Sequence, residues 1–471
     1  MQSWQQEIQE RSFIDTEYLN SLITRYENSS EEDFRRIMDK TKTGARLELE
    51  DVAILIGARA PHQVEEIFNS AKAMKERVYG NRVVIFAPLY LGNKCVNHCT
   101  YCGFKCTNTE MVRKTLTVPE VEAEVKALEK EGHKRLILVY GTHPDYTPEY
   151  IAETVRATYA TKFEKGEIRR VNINASPFTV EEFKVIKSAD IGTYQIFQET
   201  YHEETYKKVH PMGEKSNFKW RLFGLDRAQQ AGIDDVGIGA LFGLHDWRFE
   251  VLGLMSHVIH LEEKFNVGPH TISFPRLKEA IGNSVLEKNL VRDEDFKRII
   301  AILRLAVPYT GLILTARETP ELRRECMALG VSQIDAGTQI ELQGYTKKDR
   351  EQDLANEQFM IGDSRSLDDI MCELMSNGFV PSFCTACYRL GRTGEHFMEF
   401  SKPGFIHEFC TPNAMLTLNE YLNDYGSEEA KRVGKALILS EIEKATLPEH
   451  IKNSVKDKLG EIDGGTRDLY Y

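Results

Sequence analysis

The stretch YLGNKCVNHCTYCGF, residues 90–104, decides the fold and the chemistry of this chain. It holds three cysteines in the spacing C-x3-C-x2-C, here called the N-terminal cysteines: Cys95, Cys99 and Cys102. Three thiolates can bind three irons of a [4Fe–4S] cube and leave the fourth iron open, whereas ordinary electron-transfer clusters use four cysteines. A zinc knuckle is the alternative, but zinc sites usually close with four ligands. No fourth ligand completes a familiar zinc pattern, although His98 and Cys106 are near.

This spacing, with the aromatic Tyr101 just before the third cysteine, resembles the radical S-adenosylmethionine (SAM) superfamily. In that superfamily the open iron chelates the amino and carboxylate groups of SAM. An electron from the cluster then breaks a carbon–sulfur bond and yields a 5′-deoxyadenosyl radical. The resemblance implies SAM as a cofactor and a low-potential electron donor as a partner.

A second set of three cysteines lies far downstream. Its members, here called the C-terminal cysteines, follow the spacing C-x2-C-x22-C and are Cys384, Cys387 and Cys410. In a cytosolic protein a CxxC pair can be a redox pair or half of a zinc site. Because a third cysteine follows and the first motif stands in the same chain, we predict a second cluster with an open iron.

Composition limits the class of protein. The chain has 471 residues, long enough for a barrel with extensions. A formal net charge of -12 argues against non-specific nucleic-acid binding. The polar beginning, MQSWQQEIQERSF, and the lack of a long apolar window predict neither a secretion signal nor a membrane span. We therefore expect a cytoplasmic protein without a disulfide framework that works in the absence of oxygen.

Eight β-rich runs alternate with helical segments. The runs are VVIFAPLYL (83–91), RLILVYG (135–141), RRVNINAS (169–176), TYQIFQET (193–200), DVGIGALFGL (235–244), HTISFPRL (270–277), GLILTARE (311–318) and QIDAGTQI (333–340). This alternation predicts an α/β fold with a TIM-type (β/α)8 barrel over residues 81–345. An incomplete barrel of six strands is the alternative. We predict a helical extension at 1–80 and a mainly helical cluster domain at 346–471.

Residues at or after the carboxyl ends of the first four runs form a candidate SAM site, because barrel chemistry lies at that end of the strands. Asn174 could hold the ribose, and Arg221 could pair with the SAM carboxylate through two hydrogen bonds. Each alone would be ordinary rim structure, but together, and in this order, they support SAM binding. The set is Tyr101, Gly141, Thr142, His143, Asn174, Glu199 and Arg221.

The last three runs suggest the substrate. An arginine at a barrel mouth suits an amino-acid carboxylate, and the candidates for substrate contact are Ser273, Arg276, Arg317, Glu318 and Thr338. His270 begins the sixth run. It is either a loop histidine hydrogen-bonded to backbone or a metal ligand, since imidazole suits iron. We expect its loop, at the barrel mouth, to reach toward a C-terminal domain docked there.

The segments QIFQETYHEETY, HPMGEK, DRAQQAGIDDVGIGALFGL, PHTISFPR and LTARE resemble the tyrosine-lyase branch of the radical SAM superfamily. The resemblance covers nearly the whole chain. One member of this branch acts in thiazole synthesis and another in [FeFe]-hydrogenase maturation. The C-terminal cysteines favour the maturation type, because the thiazole enzyme has no second cluster of that spacing. The chain departs from the pattern at Thr142, where related sequences commonly carry glutamate.

The resemblance implies that tyrosine is cleaved to p-cresol and dehydroglycine. Dehydroglycine would become carbon monoxide and cyanide at the C-terminal cluster and leave as an Fe(CO)2(CN) unit for the hydrogenase. It implies two [4Fe–4S] clusters, the second with an additional labile iron for which His270 is the candidate ligand, and other maturation proteins as partners. The alternatives are a one-cluster tyrosine lyase of thiazole synthesis and a non-enzymatic iron–sulfur carrier.

Overall fold

Eight parallel strands close into a barrel. The computed structural model describes residues 3–5, 8–280, 289–347, 351–391, 394, 406–444 and 447–471. In barrel order the strands are β1 (Arg82–Gly92), β2 (Arg135–Tyr140), β5 (Arg170–Asn174), β6 (Tyr194–Gln195), β7 (Val236–Gly239), β8 (Thr271–Ser273), β9 (Gly311–Leu314) and β10 (Gln333–Asp335). A small antiparallel hairpin, β3 (Lys162–Phe163) and β4 (Gly166–Glu167), lies outside the barrel sheet. The predicted (β/α)8 barrel is confirmed.

Strand β1 shows why the prediction succeeds. Its apolar run is buried along almost its whole length, as expected of a parallel strand covered on both faces. Residues 87–90 pair with β2, and Val84–Phe86 pair with Gln333–Asp335 of β10. Because the last strand pairs with the first, the barrel is closed and the six-stranded alternative is wrong.

Helices cover the outside of the barrel. Helix α2 begins after Ser30, whose side chain accepts a hydrogen bond from the backbone N–H of Asp33, as its serine–glutamate start predicts. In the described part of the chain, no helix combines the length and apolarity that a membrane crossing requires. The helices up to the eighth strand are α1 (Thr16–Arg25), α2 (Glu31–Thr41), α3 (Leu49–Gly57), α4 (Pro61–Tyr79), α5 (Val118–Lys130), α6 (Pro148–Ala160), α7 (Val180–Lys187), α8 (Glu203–Val209), α9 (Phe218–Leu222), α10 (Gly224–Gln230), α11 (Trp247–Phe265), α12 (Asp293–Ala306) and α13 (Pro320–Leu329).

The C-terminal region is mainly helical, as predicted, and adds one strand. Its helices are α14 (Leu367–Ser376), α15 (Ala386–Arg389), α16 (Ile406–Asp424), α17 (Glu428–Lys444) and α18 (Glu449–Asp463). Strand β11 (Val380–Ser382) pairs in parallel with Arg82–Val84, the first residues of β1. The region after the barrel therefore attaches where the barrel strands begin. The domain boundaries at residues 80 and 345 stay predictions.

Candidate functional sites at the two ends of the barrel

Two cavities lie at opposite ends of the barrel. The upper cavity, of about 200 Å³, is lined by late strand residues such as Tyr90 and Val139. The lower cavity, of about 50 Å³, is lined by first strand residues such as Arg82 and Arg135. Each cavity contains one of the two cysteine sets.

The upper cavity collects most of the predicted SAM and substrate residues. The predicted residues that line it, besides the N-terminal cysteines, are Tyr101, Gly141, Thr142, Asn174, Glu199, Arg221, Ser273, Arg317 and Thr338. The predicted residues that do not line it are His143, Arg276 and Glu318. Residues on seven different strands or in the segments that follow them thus converge on one space, as barrel topology requires.

The N-terminal cysteines sit on the loop after β1. The Cys102 backbone N–H donates to the Cys99 carbonyl at 3.2 Å, and the loop is tied to the next strand end by Val96 N–H donating to the Thr142 carbonyl at 2.8 Å. Burial raises the pKa of the Cys99 and Cys102 thiols, so their thiolate forms require a bound cation. Among the described residues no three His, Cys, Asp or Glu converge closely enough for a single metal ion. Thiols that do not converge on one point suit an iron–sulfur cluster, because each cysteine of such a cluster binds a different iron.

The loop after β2 approaches the cysteine loop closely. A Cβ atom on Gly141 would lie 2.1 Å from the Lys94 carbonyl oxygen, so only glycine fits there. The Thr142 hydroxyl accepts a hydrogen bond from the Ser176 hydroxyl at 2.7 Å. His143 turns away and lies 3.2 Å from Asp145. The structure therefore brings Gly141 and Thr142 to the candidate SAM site and leaves His143 outside it.

Glu199 is the charged centre of the candidate SAM side of the cavity. It adopts a φ of 69°, an uncommon conformation for a non-glycine residue that occurs preferentially at functional sites. Burial alone would raise its pKa, but Lys215 at 2.6 Å and Arg221 at 3.6 Å hold that pKa below its ordinary value. Lys215 was not predicted, although it belongs to the HPMGEK segment. These three side chains, one anionic and two cationic, form a charged group beside Tyr101, whose hydroxyl lies 2.7 Å from His210 Nε2.

Arg317 points a guanidinium group into the upper cavity. It stacks on the Phe359 ring at 3.3 Å. Within the described residues, no hydrogen bond or ion pair engages this guanidinium. Nearby, the Thr338 hydroxyl donates to Asp335 Oδ2 at 3.0 Å, and Ser273 completes the same wall. Arg317 can therefore accept an anionic group without breaking an existing ion pair.

Arg276 and Glu318 bind each other instead of facing the cavity. Arg276 Nε donates to Glu318 Oε1 at 3.0 Å, and Arg276 Nη2 donates to Glu318 Oε2, so the two side chains form a bidentate ion pair. Arg276 also contacts Asp293 at 2.7 Å, and Lys278 contacts Glu318 at 3.0 Å. The structure places these two residues outside the cavity lining, where they join the ends of β8 and β9, and their contact with the substrate stays a prediction.

A segment that follows the barrel closes one side of the upper cavity. Gln358, Phe359 and Ile361 of this segment line the cavity beside Arg317 and the N-terminal cysteines. The Gln358 side-chain amide donates to Cys102 Sγ at 3.4 Å. Sequence reasoning did not find these residues, because the segment carries no motif and reaches the site only through the fold.

The lower cavity brings together the C-terminal cysteines, His270 and Tyr388. Cys384 follows β11 directly, and β11 pairs with the start of β1, so this site lies at the amino ends of the strands. The expectation that the cysteine-bearing part of the C-terminal domain docks at the barrel mouth is therefore wrong. His270 still meets this site, because it stands just before β8, where the strand begins.

Positive charge surrounds the C-terminal cysteines. Arg82 lines the cavity, and Arg135 donates to the Cys384 carbonyl at 2.6 Å. Hydrogen bonding with Cys410 and burial raise the pKa of Cys387, while Arg82 opposes the rise. His270 Nε2 lies 3.0 Å from the Tyr388 hydroxyl, and burial lowers the His270 pKa, which favours the neutral imidazole that binds metals. The donor set therefore fits an iron–sulfur cluster with a histidine beside it.

A closed (β/α)8 barrel with C-x3-C-x2-C after its first strand defines the class of radical SAM enzymes. The "Radical SAM superfamily" pattern matches residues 89–252, and the "Biotin and Thiamin Synthesis associated domain" matches residues 273–380. The 2-iminoacetate synthase of Salmonella typhimurium is 30% identical over 364 residues, which cover 76% of this chain and 92% of that protein.

Two solved structures resemble the chain over nearly its whole length. A crystal structure of HydG, a maturase of the [FeFe]-hydrogenase, is 44% identical, covers 98% of this chain and 100% of its own, and has a TM-score of 0.94. HydG from Carboxydothermus hydrogenoformans is 39% identical, covers 94% and 96%, and has a TM-score of 0.80. The chain belongs to the HydG family of [FeFe]-hydrogenase maturases. Membership implies iron–sulfur clusters, SAM and a reductant.

Proposed function

We propose that the protein is a lyase that cleaves tyrosine and makes carbon monoxide and cyanide, both delivered on iron as an Fe(CO)2(CN) unit for [FeFe]-hydrogenase assembly. The observation that carries this proposal is the presence of two three-cysteine cavities at opposite ends of one barrel. One cavity has an arginine, Arg317, that makes no ion pair within the described residues and could bind an amino acid, and the other has a histidine beside the thiols. Two separate sites suit two successive reactions.

In the first reaction the upper cavity holds tyrosine next to SAM. When bound, the cluster on the N-terminal cysteines and SAM supply a 5′-deoxyadenosyl radical that removes a hydrogen from the tyrosine amino group. Arg317 binds the tyrosine carboxylate, and Glu199, Lys215 and Arg221 orient the charged end of SAM. The Phe359 segment excludes water from the radical. Breaking the Cα–Cβ bond of the resulting tyrosine radical then gives dehydroglycine and a 4-hydroxybenzyl radical, and this radical takes up one proton and one electron from the low-potential donor to become p-cresol.

In the second reaction dehydroglycine passes to the lower cavity. Breaking its carbon–carbon bond gives one carbon monoxide, one hydrogen cyanide and one water, so atoms balance without an oxidant or a reductant. The arginines around the C-terminal cysteines, among them Arg82 and Arg135, compensate the negative charge of the thiolates and of cyanide. His270 would hold the additional iron that accepts both ligands, and Tyr388 fixes the orientation of its ring.

The relatives support the two reactions separately. The name 2-iminoacetate synthase describes the first one, because 2-iminoacetate is the ionised form of dehydroglycine. The HydG structures support hydrogenase maturation. We propose that a low-potential electron donor and other maturation proteins are the partners. Open iron sites react with oxygen, so the protein is proposed to work anaerobically.

A tyrosine lyase of thiazole synthesis is the second candidate. The 30% identity to 2-iminoacetate synthase, over 92% of that protein, favours it. This candidate requires only the upper cavity and gives no role to the C-terminal cysteines. The lower cavity therefore distinguishes the two functions.

The test is an anaerobic assay of the iron-reconstituted protein with SAM, dithionite and tyrosine. The proposal predicts p-cresol, carbon monoxide and cyanide together, measured by chromatography, infrared absorption and cyanide derivatisation. Formation of p-cresol without carbon monoxide would support the thiazole candidate. Failure to form 5′-deoxyadenosine would instead indicate a non-enzymatic iron–sulfur carrier.

A further inference from the structure

The side chain of Gln358, which lies outside the cysteine motif, donates a hydrogen bond to a predicted cluster ligand. Gln358 Nε2 lies 3.4 Å from Cys102 Sγ, a normal distance for a donor to sulfur. The Tyr90 hydroxyl donates to Gln358 Oε1 at 3.0 Å. Because Tyr90 occupies the amide oxygen, the amide nitrogen is directed toward the sulfur. The geometry thus fixes which end of the amide faces Cys102.

The backbone around Gln358 is held as firmly as its side chain. The Gly103 N–H donates to the Gln358 carbonyl at 2.9 Å. A Cβ atom on Gly103 would lie 2.3 Å from the Glu357 carbonyl oxygen, so the two segments touch through glycine. Gly362 N–H and Asp363 N–H both donate to the Ala316 carbonyl and anchor the far end of the segment. Gln358 therefore cannot drift from the cysteine loop without breaking several hydrogen bonds.

Hydrogen bonds to cluster sulfurs and solvent exposure set the reduction potential of an iron–sulfur cluster. A donor stabilises the reduced state more than the oxidised state, because the reduced cluster carries more negative charge on its sulfurs. Phe359 and Ile361, next to Gln358, pack with Cys95 and Cys102 in one apolar group that limits water. The segment thus places one oriented donor beside apolar side chains that cover part of the cysteine loop.

We propose that Gln358 is a positioning residue that raises the reduction potential of the N-terminal cluster through its hydrogen bond to Cys102. The inference rests on the proposed role of the N-terminal cysteines as cluster ligands. It assigns a function to a residue far outside the cysteine motif. With a higher reduction potential, the N-terminal cluster could be reduced by a weaker reductant before the first reaction.

The test compares two identical substitutions on the same segment. Gln358→Met removes the donor and keeps the side-chain length. Gln352→Met is the matched control, because Gln352 binds Glu357 and accepts from Ile361 N–H at 3.1 Å, but does not contact the cysteines. Both are made in a full-length chain whose Cys384 and Cys387 are serine, so that only the N-terminal cluster contributes to the spectrum.

The readout is a redox titration followed by electron paramagnetic resonance, with iron and sulfide content measured on each sample. At the midpoint potential of the parent chain, less than half of the cluster should be reduced in Gln358→Met, and half in Gln352→Met. Equal shifts in both variants would mean that the segment acts only by covering the cluster. An unchanged midpoint potential in a Gln358→Met chain with full iron and sulfide content would also overturn the proposal.

A second variant keeps the test decisive if Gln358→Met fails to take up iron. Tyr90→Phe removes the hydroxyl that orients the amide but retains the donor, so a smaller negative shift is expected. An unchanged midpoint in that variant would overturn the role of Gln358. A parent chain without any cluster would contradict the proposed function itself, and iron analysis distinguishes that result from a missing shift.

Discussion

Replacing Arg317 with alanine is expected to weaken tyrosine binding while both cysteine sites keep their iron. The Arg317 guanidinium lines the upper cavity and stacks on Phe359 at 3.3 Å. Within the described residues it makes no ion pair that a substrate carboxylate would have to displace. A hydrogen bond to a charged group contributes about 1.5–3 kcal/mol. Since about 1.4 kcal/mol is a factor of ten, the affinity should fall about tenfold to a hundredfold.

The assay is the tyrosine dependence of p-cresol formation under anaerobic conditions, with iron content measured on every sample. Arg317→Lys keeps the charge but loses the planar fork and the stacking, so it should restore only part of the affinity. Arg276→Ala is the matched control, because its guanidinium binds Glu318 and Asp293 outside the cavity. It should lower the melting temperature and leave the tyrosine KM unchanged.

Two results would refute this reasoning. An unchanged tyrosine dependence in a fully iron-loaded Arg317→Ala chain would mean that the carboxylate binds elsewhere. A raised KM in Arg276→Ala, without a change in Arg317→Ala, would return Arg276 to the substrate site that the sequence suggested.

The remaining predictions concern the cysteines, His270 and a buried carboxyl group. Replacing any one of the N-terminal cysteines with alanine should abolish 5′-deoxyadenosine, and a near-normal yield would contradict the cluster assignment. Replacing Cys384 and Cys387 with serine should keep p-cresol but abolish carbon monoxide, whereas loss of p-cresol would mean that the two sites do not act in sequence. His270→Ala should keep p-cresol and lose the infrared Fe–CO and Fe–CN bands. Normal bands in this variant would contradict a role of His270 as an iron ligand. Burial raises the pKa of Glu250 from 4.5 to about 8. Between these two pH values Glu250 stays protonated in the folded state but loses its proton in the unfolded state. Thermal stability should therefore fall as the pH rises toward 8, and a Glu250→Gln chain with the same pH slope would contradict this.

The barrel could be predicted from the sequence because parallel strands are buried on both faces and form apolar runs. All eight predicted runs contain an observed strand. Apart from β1, which extends to Gly92, the observed strands end before the predicted runs do. Only Tyr194–Gln195 of the run 193–200 is a regular strand, and Glu199 adopts a φ of 69° next to the upper cavity. The polar ends of the runs are thus loop residues beside the upper cavity, which explains why most of the residues predicted from those ends line that cavity.

The partners of individual side chains could not be predicted, because they depend on contacts across the chain. Arg276 and Glu318 stand at strand ends like Arg317, but they lie 42 residues apart in sequence and neutralise each other in the fold. Gln358 has no sequence signal, since it meets Cys102 across 256 residues. A periodic pattern indicates which residues are buried, but not which charged groups pair.

The sequence also could not predict at which end of the barrel the C-terminal cysteines lie. The short strand β11 decides it, because pairing with Arg82–Val84 directs the following Cys384 to the amino ends of the strands. A three-residue strand, VPS, with proline at its centre is weak as a sequence signal. By contrast, the meeting of His270 with the C-terminal cysteines follows from its place before β8 once that end is known.

The central claim is that both diatomic ligands come from tyrosine, made at two sites of one barrel. The most direct measurement is infrared spectroscopy of the reacting protein with tyrosine carrying ¹³C at either the carboxyl carbon or Cα. Because the carboxyl carbon should become carbon monoxide and Cα should become cyanide, the first label should shift only the carbonyl bands and the second only the cyanide bands. Bands that stay unshifted with both labels, while p-cresol still forms, would contradict the account.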